Sequence, residues 1–207
     1  MLSPSTPEQS VFERLLELLQ TKQAAEGIKF SILEHEPAYT SEESARVRGT
    51  TLSSGAKALI VKLSSKKGSG ASCTSEPQPT SSATNTVQGI KINNSNDNDF
   101  FVMFVIPADR KFATKQVKRQ IEGIKNLRFA TKEEVYEVTN GLTPGSIPPF
   151  GRSLFGTKIR SVYCDQMLAG EDAINFNAGD HSRSISITFD DFCKVENPIL
   201  GTFSQQS

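Results

Sequence analysis

The sequence predicts a single α+β domain with a central mixed β-sheet flanked by helices. Segments with helical periodicity and segments typical of strands are mixed along the 207 residues, without strict strand–helix–strand alternation. Three capping-box patterns mark helix starts, and no internal repeat is visible. The length suits one domain over residues 1–207, with its core at about residues 28–192.

The first third of the chain shows two helix signals and two strand signals. Thr6 to Gln9 has the pattern of a capping box with proline at the first helical position. A second capping box begins at Thr40, and the helix that it opens should stop near Gly49. The elements expected in order are a helix over residues 7–22, a strand at Lys29–Leu33, a helix from Thr40 to Gly49, and a strand at Ala56–Leu63 that carries Lys57 and Lys62.

Residues 64–98 break this pattern. Ser, Thr, Asn and Gly dominate the segment, and large apolar side chains are almost absent. Such a segment cannot bury enough surface to offset the entropy lost on ordering. We expect a low-complexity, disordered insert between the two strands of a hairpin, the second strand being Phe100–Ile106.

The second half of the chain continues the mixture of helices and strands. Thr114 is expected to cap a basic helix, and a third capping box begins at Thr131. The elements expected in order are that basic helix to about Glu122, a strand at Leu127–Ala130, a helix from Thr131 to Asn140–Gly141, and strands at Thr157–Asp165, Ala173–Asn177 and Ser184–Phe189, with Ile185, Ile187 and Phe189 facing inward.

Composition excludes several classes of protein. A formal net charge of zero argues against a general nucleic-acid coat protein. The longest apolar run, Phe100–Ile106, is too short to span a bilayer, and the N-terminus has no secretory pattern. Three scattered cysteines and two histidines make a zinc site improbable. We expect a reduced, cytoplasmic protein without metal or cofactor, in which Cys164 is a small core residue.

The loop Gly145–Gly151 is framed by glycines and has two adjacent prolines at its centre. Proline fixes φ and removes a donor, so the remaining amides point in set directions. These are the amides of Ser146, Ile147, Phe150 and Gly151. A rigid row of amides can hold a carbonyl oxygen or a phosphate. The alternative is an ordinary surface turn.

A basic stretch runs from Pro107 to Lys132. It holds eight basic and two acidic residues in a chain that is neutral overall. Lys115, Lys118 and Arg119 share one helix face by their spacing. Such a run is usually a solvated surface, but phosphate contacts of an RNA stem require the same charge.

Six segments follow one another in a characteristic order: Glu34–Ser41, Gly55–Ile60, Ile106–Lys111, Ala130–Val135, Gly145–Gly151 and Asn177–His181. In this order they resemble the YbaK / prolyl-tRNA editing-domain family of aminoacyl-tRNA deacylases. The resemblance covers about residues 28–192, interrupted by the insert.

The resemblance implies hydrolysis of the ester that joins a wrong amino acid to the 3′ end of tRNA. No covalent nucleophile is implied, and the terminal ribose hydroxyl assists the attacking water. The catalytic groups that it implies are Lys57 and the loop residues Gly145, Ser146 and Ile147. The substrate-binding residues that it implies are Tyr39, Thr40, Pro148, Pro149, Phe150, Gly151, Gly179 and His181. Independently of the resemblance, Tyr39, Met103 and Phe150 are candidate walls of the amino-acid pocket.

Physical chemistry is consistent with this interpretation. Ester hydrolysis develops negative charge on the carbonyl oxygen, which fixed N–H donors and an ammonium stabilise. Rival motifs such as GxSxG, HExxH and the P-loop are absent from the sequence. The mischarged acceptor end of tRNA is the expected partner, bound by Lys115, Lys118 and Arg119, and an aminoacyl-tRNA synthetase is a further candidate partner.

Alternatives remain open for the function and for single residues. The chain is either a trans-editing deacylase acting on tRNA(Pro)-type substrates, or a catalytically idle module that binds tRNA or a synthetase. A phosphate-binding or small-molecule-binding protein is a third option. Alanine, cysteine, serine and threonine are all candidate amino acids. Lys57 could be a strand lysine with its head in water, and His181 could lie in a polar turn. His35 and Asp165 are expected to be structural.

Overall fold

A computed structural model describes residues 9–65, 90–91 and 99–206. In those ranges the α-helices are α1 Val11–Glu26, α2 Ser41–Arg48, α3 Thr114–Gln120, α4 Lys132–Val138, α5 Gly151–Phe155 and α6 Phe189–Glu196. The strands are β1 Phe30–Glu34, β2 Ala56–Ser65, β3 Ile90–Lys91, β4 Asp99–Pro107, β5 Arg110–Phe112, β6 Ile121–Glu122, β7 Ile124–Phe129, β8 Val162–Asp165, β9 Ile174–Asn177, β10 Arg183–Ile187, β11 Ile199–Gly201 and β12 Ser204–Gln206.

A five-stranded mixed sheet in the order β11-β8-β4-β2-β7 forms the centre. β2 is antiparallel to both β4 and β7, whereas β8 runs parallel to β4 and to β11. A three-stranded antiparallel sheet, β1-β10-β9, lies beside it. The predicted fold class, helices around a central mixed sheet, is confirmed.

The predicted hairpin is present, since β2 and β4 pair from Ala56 with Pro107 to Ser64 with Asp99. Most of the insert predicted at residues 64–98 lies outside the described residues. Its first two residues extend β2. Ile90 and Lys91 form β3, which pairs parallel with β6. The expectation of disorder thus does not hold for these four positions.

Alternation along β4 divides the core into two clusters, because successive side chains of a strand point to opposite faces. Met103 and Val105 pack in the larger cluster, which also receives α1, α5 and α6. Val102 and Phe104 pack in the smaller cluster, under α3. Cys164 is fully buried in the larger cluster, as predicted. Burial raises the pKa of its thiol well above the ordinary value.

Local capping explains most helix starts. The predicted boxes at Thr40 and Thr131 are both present, with Glu43 and Glu134 completing them. The predicted bounds of the N-terminal helix were wrong, since it spans residues 11–26 and not 7–22. Ser10 caps it and Glu13 completes the box, while Thr6 and Pro7 lie outside the described residues.

Three further predictions are corrected by local hydrogen bonding. Thr114 is the first residue of α3 and caps nothing. Phe189 begins α6 and does not continue the strand, because Thr188 caps that helix by accepting from the Asp191 amide. Residues 157–161 form no strand, since a 3₁₀ turn at Gly156–Lys158 precedes β8. In the described part of the chain, no helix is both long and apolar enough to cross a bilayer.

Candidate functional site

A cavity of about 190 Å³ lies between α2, the first half of β2 and the loop before α5. Among the described residues that line it, none carries a carboxylate or an imidazole. Its volume is below the roughly 300–1,000 Å³ of most small-molecule pockets, so it suits a group of amino-acid size. Its lining consists of Tyr39, Thr40, Ser41, Ser44, Ala45, Arg48, Thr51, Leu52, Gly55, Ala56, Lys57, Ala58, Leu59, Ala108, Gly145, Ile147 and Asn177.

One face of α2 forms a polar wall of this cavity. Ser41, Ser44 and Arg48 fall at helical spacing on that face and all line the cavity. The Thr40 capping box fixes the beginning of the helix. Gly49 ends it in the left-handed conformation, with φ of 65°. The predicted pocket residues Tyr39 and Thr40 lie at the start of this wall.

Lys57 is half-buried at the beginning of β2, and its ammonium group is hydrogen-bonded to the protein. Its Nζ donates to the carbonyl of Ala108 at 3.2 Å and to that of Arg110. Burial lowers the pKa of Lys57, and the charges of Asp109 and Glu42 partly oppose this shift. An ammonium has three N–H donors, and in the described ranges the third meets no protein acceptor. Lys57 can therefore donate one further hydrogen bond into the cavity.

Of the four loop amides that the sequence predicts to be free, the structure engages that of Ser146 in a backbone hydrogen bond. The Ser146 amide donates to Thr143 O at 3.1 Å, and the Ser146 carbonyl accepts from the Gly179 amide at 3.0 Å. These bonds fasten the loop, so the amides of Ser146 and Gly179 are already engaged. For the Gly145 and Ile147 amides, no acceptor is found among the described residues, and both residues line the cavity.

The second half of the loop belongs to the core. Phe150 is fully buried, with its ring 5.5 Å from Phe176 and 5.4 Å from Phe192. A Cβ on Gly151 would lie 2.6 Å from Val162 Cγ2. Packing therefore explains both residues, against the expectation that they bind substrate. Pro148 and Pro149 are also buried, and Met103, a candidate pocket wall, is fully buried.

His181 flanks the cavity between Gly145 and Tyr39. Its ring lies 4.7 Å from that of Tyr39, and Nδ1 is 3.2 Å from Ala38 O. A Cβ on Gly145 would approach His181 Cε1 to 3.4 Å, and Gly145 has a φ of 95°. Gly145 therefore permits close contact between the loop and this histidine.

Arg48 was not among the residues predicted for the site, and Asn177 was named only as part of the segment Asn177–His181. The Arg48 guanidinium donates to Ser184 Oγ at 2.8 Å and to Asn177 Oδ1 at 2.5 Å. Asn177 Nδ2 in turn donates to Gly145 O at 2.7 Å. Burial lowers the pKa of Arg48 to about 10, so the side chain stays charged at neutral pH. The one sequence signal for Arg48 is its helical spacing from Ser41 and Ser44.

The predicted basic face is exposed on α3. Lys115, Lys118 and Arg119 point away from Val117, which anchors the helix in the smaller cluster. The helix begins four residues after Arg110, whose carbonyl accepts from Lys57. The three cations therefore follow closely in the chain after a wall of the cavity.

His35 and Asp165 are structural, as expected. His35 Nδ1 donates to Glu36 O at 2.7 Å, and Nε2 lies 2.6 Å from Ser184 Oγ. The buried carboxylate of Asp165 accepts from the amides of Met167, Phe203 and Ser204. In the ranges that the structure describes, no group of three His, Cys, Asp or Glu side chains could hold a metal ion.

Comparison with known proteins gives consistent matches. The family model of the aminoacyl-tRNA editing domain matches residues 75–195. The chain is 29% identical over 191 residues to the multifunctional Ser/Thr-tRNA deacylase ProXp-y of Escherichia coli K12, a match that covers 92% of this chain and 91% of the relative. A crystal structure of a candidate trans-editing enzyme for prolyl-tRNA synthetase superposes with a TM-score of 0.65 at 18% identity, covering 99% of each chain.

Proposed function

The chain belongs to the aminoacyl-tRNA editing domain family, and from that premise we propose that its cavity binds the aminoacyl ester at the 3′ end of a mischarged tRNA and hydrolyses it. The resemblance found in the sequence is thereby confirmed at the level of the family. The enzyme is an aminoacyl-tRNA deacylase, a hydrolase of the ester bond.

One observation carries the catalytic proposal: a half-buried ammonium and two unengaged amides line the same cavity, and no described lining residue is acidic. Lys57 Nζ and the Ile147 amide donate to the ester carbonyl oxygen as it gains negative charge. Donors fixed before the reaction stabilise such charge without reorganising. Gly145 supplies a further amide at the same edge.

The group that assists the attacking water belongs to the substrate and not to the protein. The described residues that line the cavity include no carboxylate or imidazole that could act as a general base. His181 lies beside the cavity, and its Nδ1 is within hydrogen-bond distance of the Ala38 carbonyl oxygen. The free hydroxyl of the terminal ribose adjoins the ester, so it can accept a proton from the attacking water while it passes its own proton to the ribose oxygen that leaves as the ester C–O bond breaks. Because an aminoacyl ester is already activated, positioning and charge stabilisation are enough for turnover.

The cavity suits a small amino acid with a hydroxyl group. It measures about 190 Å³ and is lined by Thr40, Ser41, Ser44 and Thr51. The E. coli relative is named a Ser/Thr-tRNA deacylase. We therefore assign serine or threonine as the amino acid removed. That the tRNA is of the tRNA(Pro) type stays a prediction.

The acceptor stem binds the exposed face of α3 through Lys115, Lys118 and Arg119. Phosphate contacts supply sequence-independent affinity, and α3 begins four residues after Arg110, whose carbonyl accepts a hydrogen bond from Lys57. Lys57 thus binds the ester, and the three cations of α3 bind the acceptor stem.

Deacylation of a panel of tRNAs, including tRNA(Pro), charged with serine, threonine, alanine or cysteine tests this function. We expect turnover with serine or threonine. In Lys57→Met, kcat/KM should fall about 100-fold or more, as on loss of an oxyanion donor. The matched control is Lys62→Met on the same strand, since Lys62 pairs with Glu134 and Asp99 away from the cavity.

The second candidate function is a catalytically idle module that binds tRNA. The exposed cations of α3 favour it as much as they favour the enzyme. Binding of tRNA without release of any amino acid from the panel would establish it and reject the deacylase.

A further inference from the structure

Arg48 is a cation in the cavity without a carboxylate partner among the described residues. The side chain is half-buried, and none of the ion pairs in the described ranges includes it. Burying a charge is costly unless it is paired or hydrogen-bonded. The protein pairs it with neutral oxygens only, those of Ser184 and Asn177.

The guanidinium keeps unused hydrogen-bonding capacity. It has five N–H donors, of which two are engaged by these oxygens. For the other three, no acceptor is found in the described part of the chain. Since Arg48 lines the cavity, the donors that remain are available to an oxygen atom of a ligand there.

Arg48 and Lys57 are held independently of each other. Lys57 is fixed by carbonyls of Ala108 and Arg110, whereas Arg48 is fixed by side chains of β9 and β10. The two cations therefore present donors from different walls. Apart from the ribose, a seryl or threonyl ester offers two polar oxygen sites, the ester group and the side-chain hydroxyl.

We propose that Arg48 is the specificity-determining residue of this cavity and donates to the side-chain hydroxyl of a seryl or threonyl ester. This inference rests on the proposed function. An alanyl ester lacks the hydroxyl and leaves the guanidinium donors without that acceptor. A site built to bind a substrate hydroxyl discriminates strongly against an analogue without it.

The test compares seryl-, threonyl- and alanyl-tRNA under single-turnover conditions with excess enzyme. Arg48→Gln should lower kcat/KM for the seryl and threonyl substrates about 10- to 100-fold, because one charged hydrogen bond is lost. Hydrolysis of the alanyl substrate should change less than about threefold. Arg48→Lys should recover part of the loss, since an ammonium can still donate to one hydroxyl.

The matched control is Arg46→Gln, which removes the same charge from the exposed side of the same helix. It should leave all three rates within about twofold. Thermal unfolding of each variant reports any loss of fold. If Arg48→Gln does not fold, the Arg48→Lys variant decides by showing or lacking the selective loss.

An equal loss on all three substrates would overturn the specificity role alone, because a purely structural arginine affects them alike. Equal rates of the wild type on all three would overturn it as well. Absence of deacylation by the wild type on every substrate would overturn the proposed function and this inference together.

Discussion

The side-chain amide of Asn177 donates a hydrogen bond to the carbonyl oxygen of Gly145 at 2.7 Å. The same peptide group carries the Ser146 amide, which donates to Thr143 O at 3.1 Å. One peptide plane is thus held from both sides, between β9 and the loop. Because the neighbouring plane carries the Ile147 amide, this bond helps to set the direction of the proposed oxyanion donor.

Replacement of Asn177 by alanine should impair catalysis more than folding. The loop would lose its tie to β9, and Arg48 would lose one acceptor. A misplacement of about 1 Å in a catalytic group can cost about 100-fold, so we expect kcat/KM to fall about 10- to 100-fold in steady-state deacylation.

Asn175→Ala is the control for that prediction. Asn175 lies on the same strand, is buried, and donates to Ser54 Oγ at 3.1 Å. Its loss should cost about 1 kcal/mol of unfolding free energy, as for one hydrogen bond, with kcat/KM within about twofold of wild type. Equal catalytic loss in both variants would contradict a positioning role for Asn177.

Gly145→Ala should lower both stability and activity. Its φ of 95° is strained for an L residue, at a cost of about 1–2 kcal/mol. The new Cβ would also meet His181 Cε1 at 3.4 Å. We expect about a tenfold lower kcat/KM from the displaced loop, measured beside thermal unfolding.

Gly123→Ala is the control for Gly145→Ala, because it introduces the same backbone strain without a new side-chain contact. Gly123 has a φ of 85°, and nothing lies within 4 Å of an added Cβ. Its stability loss should resemble that of Gly145→Ala, without a loss of activity. If both variants keep full activity, the contact of Gly145 with His181 has no catalytic importance.

Substitution of Lys115, Lys118 and Arg119 by glutamine should weaken tRNA binding. Each lost phosphate contact should reduce the slope of log affinity against log salt by roughly 0.7–0.9. Hydrolysis of a small seryl ester should not change, because the cavity is intact. Lys22, Lys29 and Lys194, replaced together, provide the control, and an unchanged salt slope in the α3 variant would refute the assignment.

The carboxylate of Glu134 should make the free energy of unfolding decrease as the pH is lowered into the acid range. Hydrogen bonds from Arg128 and from the Thr131 amide lower the pKa of Glu134 from 4.5 to about 2. Between these values the unfolded chain binds more protons than the folded one, so the contribution is complete above pH 4.5 and is lost toward pH 2. Glu134→Gln should lower Tm at pH 7 by about 2–4 °C, after allowance for solvent screening.

The Tm deficit of Glu134→Gln should shrink as the pH falls below 4.5. Glu137→Gln on the same helix is the control, since Glu137 makes no ion pair in the described ranges. A deficit that stays constant to pH 2 would show that the carboxylate charge of Glu134 does not stabilise the fold.

Several elements could be predicted because their causes are local. The boxes at Thr40 and Thr131 join groups three residues apart, so the pattern of residues is enough to place the helix starts. Alternation along β4 likewise follows from the strand period. The start of α1 was predicted wrongly from the pattern at Thr6 to Gln9, because Ser10 caps this helix and Glu13 completes its box.

The sequence by itself determined the fold class, the β2–β4 hairpin and the family, since these depend on periodicity, capping and the order of motifs. Only the tertiary structure decided which loop residues face the cavity. It assigned Phe150 and Gly151 to the core and placed Ile147 in the lining of the cavity, with no acceptor for its amide among the described residues. It also brought Arg48 to Asn177, 129 residues away in the chain. Such contacts depend on how strands and helices pack, and no local pattern encodes them.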